Sequence, residues 1–326
     1  MPRDTERAAP ADPAVPSRGA PATDRPPAEI PASAAVAAAL CDQAEVILTT
    51  MPGVADGTDT EALHDLRVAV RRARALLKLA GDVLPEPLVL PAAAELRRLG
   101  AATTPVRDLD VLLVRLGELA PRLRAATPAD LTEFTTHVRR QRNSAHRAMM
   151  RELRGNHFTE FVESWRTELA AVAAGDRAGT SDITLKTLAD TRIPRIGKKV
   201  RRRARAITGS AADTEIHRLR KRGKELRYLL EFCAPVTRPR KALRELRKLQ
   251  NVLGDYQDAV VQRRALPELT EQLLSTATAS AATVLAVGES AGLLAADQRH
   301  TRGKLAHAVH RFLRPRSIRR FASVTT

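Results

Sequence analysis

The chain has 326 residues, with 54 Lys and Arg against 37 Asp and Glu, a formal net charge of +17 and a pI near 11.0. A cationic surplus of this size favours binding a polyanion: nucleic acid, an anionic lipid surface or a phosphate polymer. A hydrophobic share of 44% supplies one large or two modest cores, and an aromatic share of 3% is too small for a base-stacking platform. Ala, Leu, Arg and Glu dominate and favour helices over strands.

Residues 1–30 are rich in Pro, Ala and charge without periodicity and read as a disordered tail. They contain no apolar core of a secretory signal, and no run approaches the ~20 apolar residues needed to cross a bilayer. The expectation is a cytoplasmic protein with no membrane partner. An Ala-rich segment over 32–48 predicts a first helix that Met51-Pro52-Gly53 should end. Thr58 and Glu61 form a candidate capping box for the next helix.

That next helix organises the chain. Leu63, Leu66, Val70, Ala73 and Leu77 recur at helical spacing as one apolar stripe. His64, Arg67, Arg71, Arg74 and Lys78 repeat the spacing one residue on, about 100° around the helix. Such a helix buries one line and presents a row of charge beside it.

Pro85 and Pro87 precede a long helical segment over 89–119 that Pro105 should kink. Thr127-Pro128-Ala129-Asp130 opens another helix, running to about Leu153, that carries Arg139, Arg142 and His146 on one face, and Gly155-Asn156 breaks the chain. Residues 158–174 form a helix with the only tryptophan, Trp165, and residues 175–181 read as a joint between halves. Residues 184–207 hold the densest basic run, Lys198 to Arg203. Asp213-Thr214 caps a helix containing His217. Beyond Pro235 and Pro239, helices are expected over 241–264, 268–288 and 293–313, the last with Arg299 and Arg302. A basic tail follows over 314–326. No segment alternates as a strand does, so the fold class is all-α.

The second half repeats the first. At an offset of 153, His217, Arg220, Lys224 and Arg227 match His64, Arg67, Arg71 and Arg74, beside an apolar stripe of Ile216, Leu219, Gly223, Leu226 and Leu230. At an offset of 150, Glu245-Leu246-Arg247-Lys248-Leu249 matches Glu95-Leu96-Arg97-Arg98-Leu99, and Gln257-Asp258 matches Arg107-Asp108. Matched blocks in one order indicate an internal duplication. The halves run over 31–174 and 183–313.

These blocks resemble the CHAD family, the conserved histidine α-helical domain. The likeness rests on His64-x-x-Arg67-x-x-x-Arg71-x-x-Arg74, on Leu96-Arg97 followed by Arg107-Asp108-x-Asp110, and on the counterparts from His217 and Leu249-Gln250-x-x-Leu253-Gly254-x-x-x-Asp258. One departure stands out: the usual Leu-Gly before the first Arg-Asp is Thr103-Thr104 here, followed by Pro105. The resemblance implies one domain of two pseudo-symmetric helical bundles around a central basic groove or channel. It also implies binding of inorganic polyphosphate without catalysis, and an association with polyphosphate granules and polyphosphate-metabolising enzymes.

Arg67, Arg71, Arg74, Arg97 and Arg107 are then expected along one side, and Arg220, Lys224, Arg227, Arg247 and Lys248 along the other. His64 and His217 stand at the head of each row, and Arg98, Arg142, His146 and Arg299 are secondary candidates. Guanidinium forks bind phosphate oxygens bidentately, and a polymer without bases asks for spaced cations only. Each histidine could donate to phosphate, and a nearby polyanion would favour its protonated form, so binding is expected to tighten on acidification from about pH 8 to about pH 6.

His64-Asp65 mimics a metal phosphohydrolase dyad, but its twin reads His217-Arg218. No metal, cofactor or catalytic residue is assigned, and the phosphate-binding glycine loop and the nucleophile elbow are both missing. Cys41 and Cys233 have no metal-ligand spacing and read as free thiols. The alternatives are a nucleic-acid-binding helical protein and a metal-dependent enzyme acting on polyphosphate. Nucleic acid is disfavoured because duplex DNA is too stiff and wide for a channel lined from both sides.

Overall fold

The computed structural model describes residues 29–57, 59–153, 157–275 and 279–325. The tail over 1–28, Thr58 of the capping box and the Gly155-Asn156 break lie outside the described residues. Among the described residues there is no strand, only an isolated bridge between Pro31 and Thr184. The helices are α1 (Ala32–Asp56), α2 (Thr60–Ala80), α3 (Glu86–Ala102), α4 (Thr104–Leu119), α5 (Thr132–Leu153) and α6 (His157–Ala174). They continue with α7 (Leu185–Arg205), α8 (Asp213–Phe232), α9 (Arg240–Ser275), α10 (Ala281–Phe312) and α11 (Pro315–Ala322).

Prolines stop these helices less than their chemistry suggests. Pro52, Pro91, Pro194 and Pro267 all sit inside helices. Each is on an exposed position, where the carbonyl that loses its donor can turn to water. Helix α1 therefore runs past Pro52 and ends at Gly57, which takes the left-handed conformation (φ 74°) of a helix C-cap. The expected break between 264 and 268 is likewise absent, since α9 runs on to Ser275, and the expected break between 288 and 293 falls inside the single helix α10.

Pro105 acts differently. Instead of one kinked helix there are two, α3 and α4, divided at Thr103 with Pro105 in the first turn of α4, where a missing N–H is tolerated. In the second half Gly254-Asp255 occupies the matching place, no proline intervenes, and α9 runs straight through.

Helix α1 is long and apolar enough to cross a membrane by length and composition, with mean hydropathy 1.3 in its most apolar window, a feature the sequence reading missed. Here it packs on α2 and α6 and buries Val36, Leu40, Ala44 and Ile47 completely. It comes close to α2 at Gly53, where a Cβ would lie 2.9 Å from the Ala62 Cβ. The start of the second half is tied to the start of α1: the Ile30 carbonyl accepts from Leu185 N at 2.8 Å and Ala32 N donates to the Ile183 carbonyl at 2.9 Å. The segment expected as a basic tail is helix α11, with Phe321 and Val324 buried and Phe321 edge-on to Phe312. Cys41 and Cys233 are free thiols, and burial pushes them up to about 11 and about 12.

Two hydrophobic clusters form the interior. The larger joins α1, α2, α3 and α6 to α7, α8 and the first part of α9. The smaller joins the far ends of α4 and α9 to the near ends of α5 and α10. Each takes helices from both sequence halves, so the expected partition of one bundle per half does not describe the core. On α4 the buried apolar positions pass from Val106 in the larger cluster to Leu112 in the smaller, and on α5 from Met149 back to Val138. Arg107, Asp108, Asp110 and Arg142 occupy this polar waist, and Asp258 on α9 stands at its edge.

Gly53→Val forces α1 from α2 and should cost roughly 1–3 kcal/mol of stability. Gly288→Ala on α10, where nothing lies within 4 Å of the added Cβ, should gain up to ~1 kcal/mol from helix propensity. Thermal unfolding midpoints moving in opposite directions check both.

Candidate functional site

The apolar stripes bury as their spacing requires: Leu63, Leu66, Val70, Ala73 and Leu77 on α2, and Ile216, Leu219, Gly223, Leu226 and Leu230 on α8. This fixes the azimuth of the basic rows, which sit half-buried beside the packed face: His64, Arg67 and Arg71 on α2, then His217, Arg220, Lys224 and Arg227 on α8. The two helices pack against each other. Arg71 Nε donates to the Tyr228 hydroxyl at 2.7 Å, and Lys78 Nζ reaches Glu225 at 2.7 Å.

The rows meet around two carboxylates, one from each half. Asp108 on α4 and Asp258 on α9 occupy matched positions in the duplication and repel each other electrostatically. Arg220 lies 3.9 Å from Asp258. Burial pushes the Asp258 carboxyl above the usual range, against the pull of Arg220, Lys224 and Arg107. Asp108 is also raised, first by burial and then by Asp258, while Arg67 and Arg107 pull it down. Asp255 is raised by burial and by Asp258. Yet the Asp258 side chain is 56% accessible to water. The two observations agree when the carboxylate faces a water-filled space with protein mass on most sides.

The histidines are held in matched but unlike ways. Arg107 Nη2 lies 3.0 Å from His64 Nδ1, whereas His217 Nδ1 lies 2.9 Å from Gln257 Oε1. Burial, then Lys221 and Arg220, push His217 below its ordinary value, with the Gln257 hydrogen bond opposing. The duplicated halves also exchange a large and a small residue. Gly100 faces Val70 in the first, and in the second Gln250 faces Gly223.

Arg67 holds the division between α3 and α4. Its Nη1 donates to the Gly100 carbonyl at 3.2 Å, to Thr103 Oγ1 at 2.7 Å and to Thr104 Oγ1 at 3.1 Å. The threonines that replace Leu-Gly thus supply the acceptors, and their hydroxyls bond back to the Leu99 and Gly100 carbonyls. Burial, with repulsion from Arg71 and Arg107, pushes the guanidinium down to about 10, and Asp108 opposes the shift. Arg67 is therefore an anchor of the backbone as well as a member of the row.

The remaining candidates fall in separate places. Arg74 lies over Gly100, lowered by burial and by the neighbouring Arg97. Arg227 and Arg247 share Glu231, at 3.8 and 3.4 Å, with Arg72 at 3.7 Å from the same carboxylate. Lys248 is exposed. The secondary candidates do not join the cluster. Arg98 bonds Glu95 and the Glu152 carbonyl, and Arg142 bonds the buried Asp110 at 2.9 Å. His146 bonds the Val54 carbonyl at 2.9 Å and covers Gly57, while Arg299 lines a pocket with Ile207, Ile216 and Leu305.

Neither tyrosine was singled out from the sequence as a site residue. Tyr228 and Tyr256 are buried, but Tyr228 accepts from Arg71 and Tyr256 bonds Asp213 at 2.6 Å and Arg302 at 2.8 Å. A tyrosine beside a motif arginine was the available signal. Among the described residues no group of three or more His, Cys, Asp or Glu could hold a metal ion.

Arg67→Ala removes the donor to the Gly100 carbonyl and to both threonine hydroxyls, leaving a cavity at the division of α3 and α4, and should lose about 2–3 kcal/mol of unfolding free energy in urea, while the exposed Arg74→Ala stays within ~0.5 kcal/mol. Asp258 binds its proton more tightly folded than unfolded, so its charge costs stability above the folded pKa and costs nothing below the unfolded one. Asp258→Asn should therefore raise the melting temperature at pH 7, and the gain should vanish as pH falls towards the unfolded value of 3.8.

The CHAD domain family model matches residues 38–267. The uncharacterized proteins Rv2226 and MT2285 of Mycobacterium tuberculosis are each 27% identical over 249 residues, covering 74% of this chain and 46% of their own length. The chain thus spans about half the length of the curated relatives it matches. The crystal structure of the CHAD domain from the plant Ricinus communis superposes with a TM-score of 0.69 at 27% identity, over 87% of this chain and 93% of that one. PptA from Streptomyces chartreusis, 19% identical, shares the fold with a TM-score of 0.61 over 86% of this chain and 99% of its own. With well over half its length matched by the family model, and an all-helical fold that agrees, this chain belongs to the CHAD family.

Proposed function

We propose that this chain binds inorganic polyphosphate in a basic groove where α2 and α4 of the first half face α8 and α9 of the second. CHAD domains are linked with polyphosphate binding in general. The observation that carries the reading for this chain is the shared electrostatic cluster of Arg67, Arg107, Arg220 and Lys224 around Asp108 and Asp258. Cations drawn from both matched blocks act on the same carboxylate, Asp258, and this accessible but protein-enclosed side chain is what a groove wall would present. The pseudo-two-fold relation of the halves is part of this proposal. It is supported by the matched His64–Arg107 and His217–Gln257 contacts.

A bare phosphate chain offers repeated charge and no base edges, and this cluster offers spaced donors and no stacking platform. A charge-assisted hydrogen bond contributes about 1.5–3 kcal/mol, so a few such contacts from each half suffice for tight binding that weakens with salt. The Asp carboxylates orient the cations and are displaced electrostatically when phosphate arrives. We assign the protein no catalytic step. Its role is to localise to, or organise, cytoplasmic polyphosphate granules beside polyphosphate-metabolising enzymes.

The test is affinity for polyphosphates of defined length at two salt concentrations, in wild type and in Arg71→Ala/Lys224→Ala. The double variant should bind at least tenfold more weakly with a shallower salt dependence, and unchanged affinity refutes the assignment. Duplex DNA displacing long-chain polyphosphate at equal charge would favour the nucleic-acid alternative. Phosphate release with Mg²⁺ or Mn²⁺, abolished by Asp108→Ala, would establish the enzymatic one.

A further inference from the structure

The duplication places the two histidines in equivalent positions but gives them chemically opposite neighbours. Arginine carries only donors. With Arg107 Nη2 at 3.0 Å from His64 Nδ1, that nitrogen must present its lone pair, so the ring is neutral with its proton on Nε2. In the second half the matched neighbour is Gln257, whose Oε1 at 2.9 Å from His217 Nδ1 accepts. There Nδ1 carries the proton, and Nε2 is the basic nitrogen. From this geometry we infer that the two histidines hold opposite tautomers and that His217 alone takes up a proton when a polyanion enters the groove. The second part rests on the proposed polyphosphate site; the first stands without it.

Protonating His64 requires its Nδ1 to leave Arg107 or the cation to withdraw, whereas protonating His217 keeps its hydrogen bond to Gln257 intact. The groups acting on His217 are Arg220 and Lys221 on its own helix and Gln257 on α9, and Arg220 in turn lies 3.9 Å from Asp258 of α9. Two residues before it, Glu215 is paired with Arg218 and lies 3.8 Å from Arg203 of α7. In the unliganded protein the local cations and burial keep His217 uncharged near neutral pH. A phosphate chain reverses that field and raises the proton affinity of Nε2. Affinity for the polymer then rises as pH falls through the bound-state pKa, by tenfold per unit of displacement, and levels off below the free-state pKa.

Nitrogen-15 NMR of the imidazoles in the unliganded protein, assigned with His64→Gln and His217→Gln, reads the tautomers directly. His64 should show Nε2–H with no titration between about pH 8 and pH 6, and His217 should show Nδ1–H. A common tautomer, or a titrating His64, overturns the inference. Polyphosphate affinity measured over the same range should keep its pH slope in His64→Gln and lose it in His217→Gln. Gln257→Arg, which gives His217 the neighbour His64 has, should also flatten the slope. A slope that survives His217→Gln assigns the proton to Asp108, Asp255 or Asp258 and overturns the uptake claim. Absence of polyphosphate binding at every pH would refute the functional reading and the uptake claim while leaving the tautomers to the NMR result.

Discussion

Cations brought close together in a partly desolvated space repel, and the arrangement of this protein turns on how that repulsion is held. At 4 Å two like charges cost about 1 kcal/mol in water and about 4 kcal/mol at the intermediate dielectric of a protein surface. Asp108 and Asp258 stand between the motif cations of both halves and offset part of this cost, while repelling each other. Glu231 serves Arg72, Arg227 and Arg247 in the same way. The charge is balanced only in part, and the remaining deficit is what a polyanion would fill.

The rest of the fold keeps these groups in place. Apolar stripes on α2 and α8 fix the direction of the basic rows, and the polar waist between the two clusters leaves space for Arg107, Asp108 and Arg142. Arg67 couples site to scaffold because the guanidinium that belongs to the row also satisfies the carbonyl and hydroxyls where α3 gives way to α4. Thr103 and Thr104, the departure from the expected Leu-Gly, are the acceptors that make this possible. The local change in sequence therefore re-anchors the row.

The helical period of both motif helices, their buried stripes and their half-buried basic rows were all legible in the sequence, because 3.6-residue spacing encodes azimuth directly. The pairing of Asp108 with Asp258 was foreshadowed by the constant offset between the blocks. Helix ends were less legible. Pro52 and Pro267 look like stops in sequence, but whether a proline stops a helix depends on whether water reaches the carbonyl behind it, a tertiary property. The partners of the secondary candidates were not legible either: Arg98, Arg142 and His146 share the composition of a binding row, and only packing reveals that they bond Glu95, Asp110 and the Val54 carbonyl. The core shared between halves was hidden too, since a duplication in sequence does not say which copy packs on which.

The central claim is that cations from both halves grip one segment of one polymer. Calorimetric stoichiometry with a short polyphosphate tests it most directly. The account predicts one chain bound per protein; two equivalent chains per protein, one for each half, would contradict it.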